Sequence, residues 1–259
     1  MPGELRVVLV GCGAIGRTIA VNSGREYRVV AVYDRNLEKA AELSDTIGAE
    51  VLESFEELLE FCRNSDVDIA VEAASQSAVE ECLSLLEYTN LLVMSVGAFS
   101  NPSLVRKAEE IAGRSGKKVF IPSGAVGGID ALKAVRDVAE EVVLTTVKSP
   151  ESIGVRANER KLIFEGTAGE AVKLFPANVN VAATVSLACL GFERTKVRVF
   201  VDPDVRENIH EISVKGEFGE MKFVFKNRKH PENPKTSYLA ALSAVNLLKS
   251  LGKAIQVGT

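Results

Sequence analysis

Short apolar runs and helical patterns alternate through the first half of the chain. Arg6 to Val10 is a β-branched run, built on Val7, Val8 and Val10, and it ends in a glycine-rich turn; Arg17 to Ser23 then reads as a helix. Further apolar runs lie at 29–33, around Val51, and at 68–72, 91–95 and 118–121. Between them fall helical patterns over 37–47, from Ser54 onward, over 76–86 and over 101–112. The punctuation agrees with this reading. Gly48 stops one helix, Ser54 followed by Glu56 and Glu57 opens another, and Asn101-Pro102 is a cap with Pro at the first helical position. Strand–helix alternation predicts an α/β fold, a Rossmann-type doubly wound parallel sheet.

Past Ile121 the pattern changes. Pro122 to Gly128, PSGAVGG, is the boundary. A helix over 129–138 is followed by strands over 142–148 and 161–164. A helix over 168–175 ends at Pro176, and Asn178 caps a longer helix over 179–190. Strands over 196–201, 209–215 and 221–226 follow, the last two joined by a hairpin over 216–219. Runs of strands with few helices predict a second α+β domain with a mainly antiparallel sheet, open enough to pair with a second copy as a homodimer. Arg228 to Lys235 reads as a polar, Pro-containing linker, and 237–251 as a helix that returns to the first domain. The expected organisation is 1–122 dinucleotide binding, 123–235 substrate binding and dimerisation, and 236–259 the returning helix.

Composition narrows the function classes. An apolar fraction of 46% with 25% charged residues is that of a globular protein with a core. A net charge of −4 argues against an extended nucleic-acid surface. No apolar run approaches the length of a membrane span, and the first strand begins too early for a secretory leader. Four cysteines without a C-x-x-C pair are expected to be free thiols of a cytoplasmic protein, with no metal site.

The chemistry starts at Gly11-Cys12-Gly13-Ala14-Ile15-Gly16, a G-x-G-x-x-G directly after a strand. Gly11 permits the tight turn, Gly13 lets backbone approach a pyrophosphate, and Gly16 lets helix pack on strand. Asp34 ends the second strand 18 residues past Gly16, the position of a carboxylate that binds the adenosine ribose. Asp34 would repel a 2′-phosphate and so favours NAD; Arg35 offsets that repulsion and leaves NADP open. Ligands of such sheets bind beyond the strands' carboxyl ends, so Ala73, Ala74 and Ser75, then Ser95, Val96 and Gly97, and then Ser123 to Ala125 are expected to line the cofactor cleft. Histidine is scarce. His230 falls in the linker and reads as solvated. His210 lies on the apolar face of its strand with Ile212 and Val214, where it is either a proton carrier or a hydrogen-bonded core residue. Asn180, in the first turn of its helix, can meet a carboxamide or carboxylate. Lys148 and Thr167 are candidates for an anionic substrate, although Lys148 also reads as a surface cation.

Three stretches carry a resemblance: SGAVGGIDAL at 123–132, GTAGEAVKLFPANVNVAATVSLA at 166–188, and the strand holding His210. With the glycine fingerprint they resemble L-aspartate dehydrogenases from end to end. One departure is Lys148-Ser149-Pro150, where the family has a Lys-Pro-Pro-like stretch. The resemblance implies oxidation of L-aspartate to iminoaspartate with NAD(P), reversible as reductive amination. The iminoaspartate is hydrolysed to oxaloacetate and ammonia or used for quinolinate in NAD biosynthesis, which implies coupling to quinolinate synthase. It also implies that His210 is catalytic and that Ala125 and Asn180 belong to the cofactor site. Two other readings share the architecture: a homoserine-dehydrogenase-like or dihydrodipicolinate-reductase-like enzyme, and a non-catalytic dinucleotide-binding sensor.

Overall fold

The computed structural model describes residues 4–175 and 180–258, which form two compact units: the chain up to Pro122 with Ala241–Val257, and the described residues from Ser123 to Ala240 with Gly258. In the first unit β1 (Leu5–Val10), α1 (Ala14–Val21), β2 (Tyr27–Tyr33), α2 (Leu37–Ile47) and β3 (Glu50–Val51) fill one half of the sheet. The chain then crosses to α3 (Phe55–Asn64), β4 (Ile69–Glu72), α4 (Gln76–Cys82), β5 (Asn90–Val93), α5 (Pro102–Ser115) and β6 (Val119–Phe120). All five pairings are parallel, in the order β3-β2-β1-β4-β5-β6. The order reverses between β1 and β4, so the crevice for a ligand opens beyond Val10 and Glu72, which are in register. Continuous burial of Val7–Val10 and of Ile69–Glu72 is what a sheet covered on both faces demands. The caps read from sequence are formed, Ser54 accepting from Glu57 N–H and Asn101 from Ser103 N–H; Asn36 adds one that the pattern did not announce, accepting from Glu38 and Lys39 N–H.

The second unit holds α6 (Ile129–Ala134), β7 (Ala139–Lys148), α7 (Pro150–Ile153), β8 (Lys161–Thr167), α8 (Ala168–Leu174) and α9 (Asn180–Ala188). It continues with β9 (Thr195–Val201), β10 (Asn208–Gly216), β11 (Gly219–Asn227), β12 (Lys229–His230) and β13 (Asn233–Ser237); α10 (Tyr238–Leu251) then ends the fold. The main sheet runs β11-β10-β7-β9-β8, antiparallel except for the β7–β9 pair. One face is apolar: Leu144, Val197, Val199, Ile212 and Val214 pack with Val181, Ala182 and Val185 of α9. The opposite face carries cross-strand ion pairs, among them Lys196–Glu141 at 2.7 Å, Arg198–Glu165 at 2.8 Å and Lys222–Glu211 at 2.9 Å.

Some expectations shift. The helix after Gly128 stops at Ala134, and β7 starts at Ala139 rather than 142. Pro150 sits in the first turn of a helix that the sequence reading missed. The supposed linker over 228–235 is a hairpin, β12–β13, with Lys229 opposite Ser237 and His230 opposite Asn233. Pro176 as terminator, Asn178 as cap and Val179 as the start of the helix lie outside the described residues.

Candidate active site

In the first unit the glycine turn is built by exclusion. Gly11 has φ +98°, and a Cβ there would lie 2.7 Å from the backbone of Ala73 and Ala74, so only glycine lets the β1 and β4 loops touch. A Cβ on Gly16 would overlap the Gly11 carbonyl oxygen. Around Gly13 a Cβ would meet nothing within 4 Å, so this side of the turn is open to an approaching group. Gly13 is the N-cap of α1 and no side chain caps that end, which directs the first-turn N–H groups of Ala14, Ile15 and Gly16 and the positive end of the helix outward. Asp34 faces the same turn. Its Oδ2 accepts from Cys12 N–H and its Oδ1 from Asn36 N–H, both at 2.8 Å. Each oxygen keeps a lone pair for a ribose hydroxyl. Gly11, Gly13, Asp34, Arg35 and Ala73–Ser75 line a cleft of about 290 Å³, near the lower end of ligand pockets. Lys39 lines it too, a residue the sequence reading passed over because it reads as an exposed helix position. This cradle fits the phosphate and adenosine parts of a dinucleotide. The Cys12 side chain is buried away from the cleft, and burial pushes its thiol up to about 12, which leaves it unreactive.

Glu72, at the end of β4, was read only as a strand residue. It is fully buried. Its Oε1 accepts from Ala74 N–H and Ser95 Oγ–H, and its Oε2 from Ser95 N–H, all at 2.9 Å. Burial raises its carboxyl above the usual carboxylate range, against the hydrogen bonds from Ser95, Ala74 and Ser75. The side chain thus ties the loop after β4 to the loop after β5. Ser95 is buried in that tie. Val96 and Gly97 form the 3-10 turn over 96–100, with the Gln76 amide packed where a Gly97 Cβ would be, and Ser95–Gly97 do not line the glycine cleft. Sequence offers one signal for Glu72: an acid closing an otherwise apolar strand.

In the second unit β10 sets His210 opposite Thr146 of β7 and Phe225 of β11. The ring is 2% exposed, and its Nδ1 lies 3.0 Å from Thr146 Oγ1. Burial, and after it the Lys148 ammonium, lower its pKa to about 3, so the imidazole is neutral at working pH. In the tautomer that donates Nδ1–H to Thr146, the Nε2 lone pair is a proton acceptor. Lys148 is two residues along the same face. It is no surface cation: it is 4% exposed, with Nζ 3.4 Å from the Lys235 carbonyl. Burial and then the charge of Lys229 lower it to about 8. Lys229 Nζ donates to Ser149 Oγ at 2.9 Å, and Ser149 Oγ lies 2.9 Å from Ser152 Oγ.

Other candidates separate from this group. Thr167 spends its hydroxyl on a capping box with Glu170, accepting from Glu170 N–H and donating to its carboxylate. It sits on β8, three strands from His210 and about 14 Å across the sheet. Ala125 is buried, and its carbonyl accepts from Asn227 Nδ2 at 2.7 Å; Asn180 is the exposed first residue of α9. His230, expected in solvent, is 4% exposed: its Nδ1 accepts from Glu232 N–H and its ring meets Tyr238 edge-on at 5.5 Å. The β12–β13 hairpin is what buries it.

Comparison with known proteins assigns both units. Residues 130–251 match the family described as aspartate dehydrogenase, C-terminal, and residues 11–122 the NAD binding domain of homoserine dehydrogenase. The L-aspartate dehydrogenase of Methanocaldococcus jannaschii is 41% identical, covering 98% of this chain and 100% of that protein; the Methanosarcina barkeri enzyme is 42% identical at the same coverage. The crystal structure of aspartate dehydrogenase from Thermotoga maritima superposes with a TM-score of 0.82 at 32% identity, over 98% of this chain and 100% of that one. A putative myo-inositol dehydrogenase from Sinorhizobium meliloti, 13% identical with a TM-score of 0.55, shares the fold alone. Identity above 40% over nearly the whole length places this chain in the L-aspartate dehydrogenase family.

Proposed function

We propose that the protein oxidises L-aspartate to iminoaspartate with NAD(P) and catalyses the reverse reductive amination. The observation that carries this is a neutral histidine buried beside a buried lysine, in a chain whose other unit offers a dinucleotide cradle. Bound nicotinamide supplies the acceptor for the hydride of the substrate α-carbon. That hydride leaves only as the nitrogen lone pair forms the C=N bond, so the ammonium must first lose a proton. His210 is suited to take it, because its Nε2 is unprotonated at neutral pH. Lys148 offers a positive charge to a substrate carboxylate. Burial is the larger cause of the low His210 pKa and the Lys148 charge the smaller, and a carboxylate at Lys148 offsets only the smaller one. Gly11, Gly13, Asp34 and Arg35 hold the adenosine end, with Ala73–Ser75. Thr167 is left out of the substrate set because its hydroxyl is spent.

The product imine hydrolyses to oxaloacetate and ammonia unless it is used at once, which fits delivery to quinolinate synthase for NAD biosynthesis. Four buried free cysteines suit a reducing cytoplasm. The ion-paired open face of the second sheet is the proposed homodimer surface, and sedimentation at graded salt tests it. The decisive assay is NADH and NADPH formation with L-aspartate beside L-glutamate, L-alanine and L-homoserine. Turnover of L-aspartate well above the other three is expected; preference for any other would overturn the reading.

A further inference from the structure

The group around His210 does not end at Lys148. Thr146 and Lys148 alternate onto one face of β7, about 7 Å apart along the strand. Beyond them β12 brings a second ammonium, Lys229, whose charge acts on Lys148 and whose Nζ is held 2.9 Å from Ser149 Oγ. His210, Thr146, Lys148 and Lys229 therefore step outward from the buried ring to a half-buried cation. Lys148 Nζ reaches the Lys235 carbonyl of β13 while Lys229 Nζ of β12 reaches Ser149 Oγ, so both cations meet at the β12–β13 hairpin, where like charges repel. An anion lying between them would relieve that repulsion. Lys148 lies one strand step from Thr146, the residue paired with His210, so an amine at the imidazole and a carboxylate at Lys148 can belong to one small molecule.

We propose that Lys229 and Lys148 together receive the side-chain carboxylate of the substrate, with Ser149 fixing the Lys229 ammonium, so that this pair selects an amino dicarboxylate. The inference rests on the L-aspartate reading above and names the residues that enforce it. An amide or methyl group would bring no charge to the two ammonium groups, a loss that rejects L-asparagine and L-alanine more strongly than lost contact area would.

The test uses the NAD-loaded enzyme and two probes, succinate by calorimetry and L-aspartate by turnover. Lys229→Gln is expected to raise the Kd of succinate and the KM of L-aspartate at least about tenfold, the scale of one lost charge-assisted hydrogen bond. The change in kcat is smaller, and cofactor affinity holds. Lys229→Arg recovers most of the loss, and Ser149→Ala loses part of it. Unchanged succinate affinity in Lys229→Gln, or KM and kcat falling together without recovery by arginine, would overturn the proposal. A wild-type enzyme that binds succinate through Lys229 yet leaves L-aspartate unoxidised would break the functional reading and not this one.

Discussion

Replacing Lys148 by methionine should make the protein more stable and nearly inactive. Burial and Lys229 lower the lysine pKa from 10.5 to about 8, a drop of about 2.5 units. At about 1.4 kcal/mol per unit, holding the charge at neutral pH costs the fold about 3 kcal/mol. Methionine keeps the unbranched stem and carries no charge. It also gives up the bond from Nζ to the Lys235 carbonyl, long at 3.4 Å and worth about 1 kcal/mol or less. Other contacts of Lys148 are lost as well, so the net gain is at most about 2 kcal/mol at pH 7. Its pH dependence identifies the cause. Between pH 8 and 10.5 the unfolded chain holds the lysine proton and the folded chain does not, so wild-type stability rises with pH through that window. The advantage of Lys148→Met must therefore shrink toward zero by pH 10.5. Urea unfolding followed by circular dichroism, at pH 7 and pH 10.5, measures it; with no tryptophan in the chain, fluorescence is the poorer signal. A variant less stable than wild type at pH 7, or a difference that ignores pH, would refute the reasoning. Turnover of L-aspartate should fall at least about a hundredfold, a trade of stability for function.

His210→Ala should lower turnover at least about a hundredfold, the scale of general acid–base help, with cofactor affinity unchanged by calorimetry; near-normal turnover would remove His210 from the chemistry. Because His210 is pushed down to about 3, its unfolded form takes up a proton first as pH falls from 6.5, so wild type should lose stability between pH 6.5 and 3 and His210→Ala should lose less over the same window. Asp34→Ala should weaken NAD at least about tenfold more than NADP, though both weaken, because Cys12 and Asn36 N–H lose their acceptor. Glu72→Gln places an amide donor against Ala74 or Ser95, and cofactor affinity should drop about tenfold with far-UV circular dichroism unchanged; unaltered affinity would mean that the tie does not shape the site.

The first unit was legible because its signals are local. Gly16 answers to the Gly11 carbonyl five residues away, and Ser54 and Asn101 cap helices within their own turn. The face of β10 that carries His210 followed from alternation alone. What sequence could not display is which side chains the sheet brings together. Lys148 looks like any lysine at a strand end, and the Lys235 carbonyl that its Nζ meets lies on β13, a strand that the pattern did not announce. His230 was misplaced for the same reason: RKHPENPK is polar enough to read as a linker, yet its backbone pairs as a hairpin. Thr167 was assigned from residue type, whereas Glu170 three residues later already marked a capping box. Glu72 gave almost no signal, since a buried carboxylate is defined by donors 2 and 23 residues away.

The unit that carries the glycine cradle is not continuous in sequence. Its 241–257 segment, with Ala241, Ala244, Val245 and Leu248 of α10 buried, arrives only after the whole second unit. On the ribosome, where chains fold from the amino end, the unit with the parallel sheet must wait with part of its buried apolar surface missing until residues 241–257 emerge. Maturation of the nucleotide-binding half is thus tied to synthesis of the half that carries the histidine.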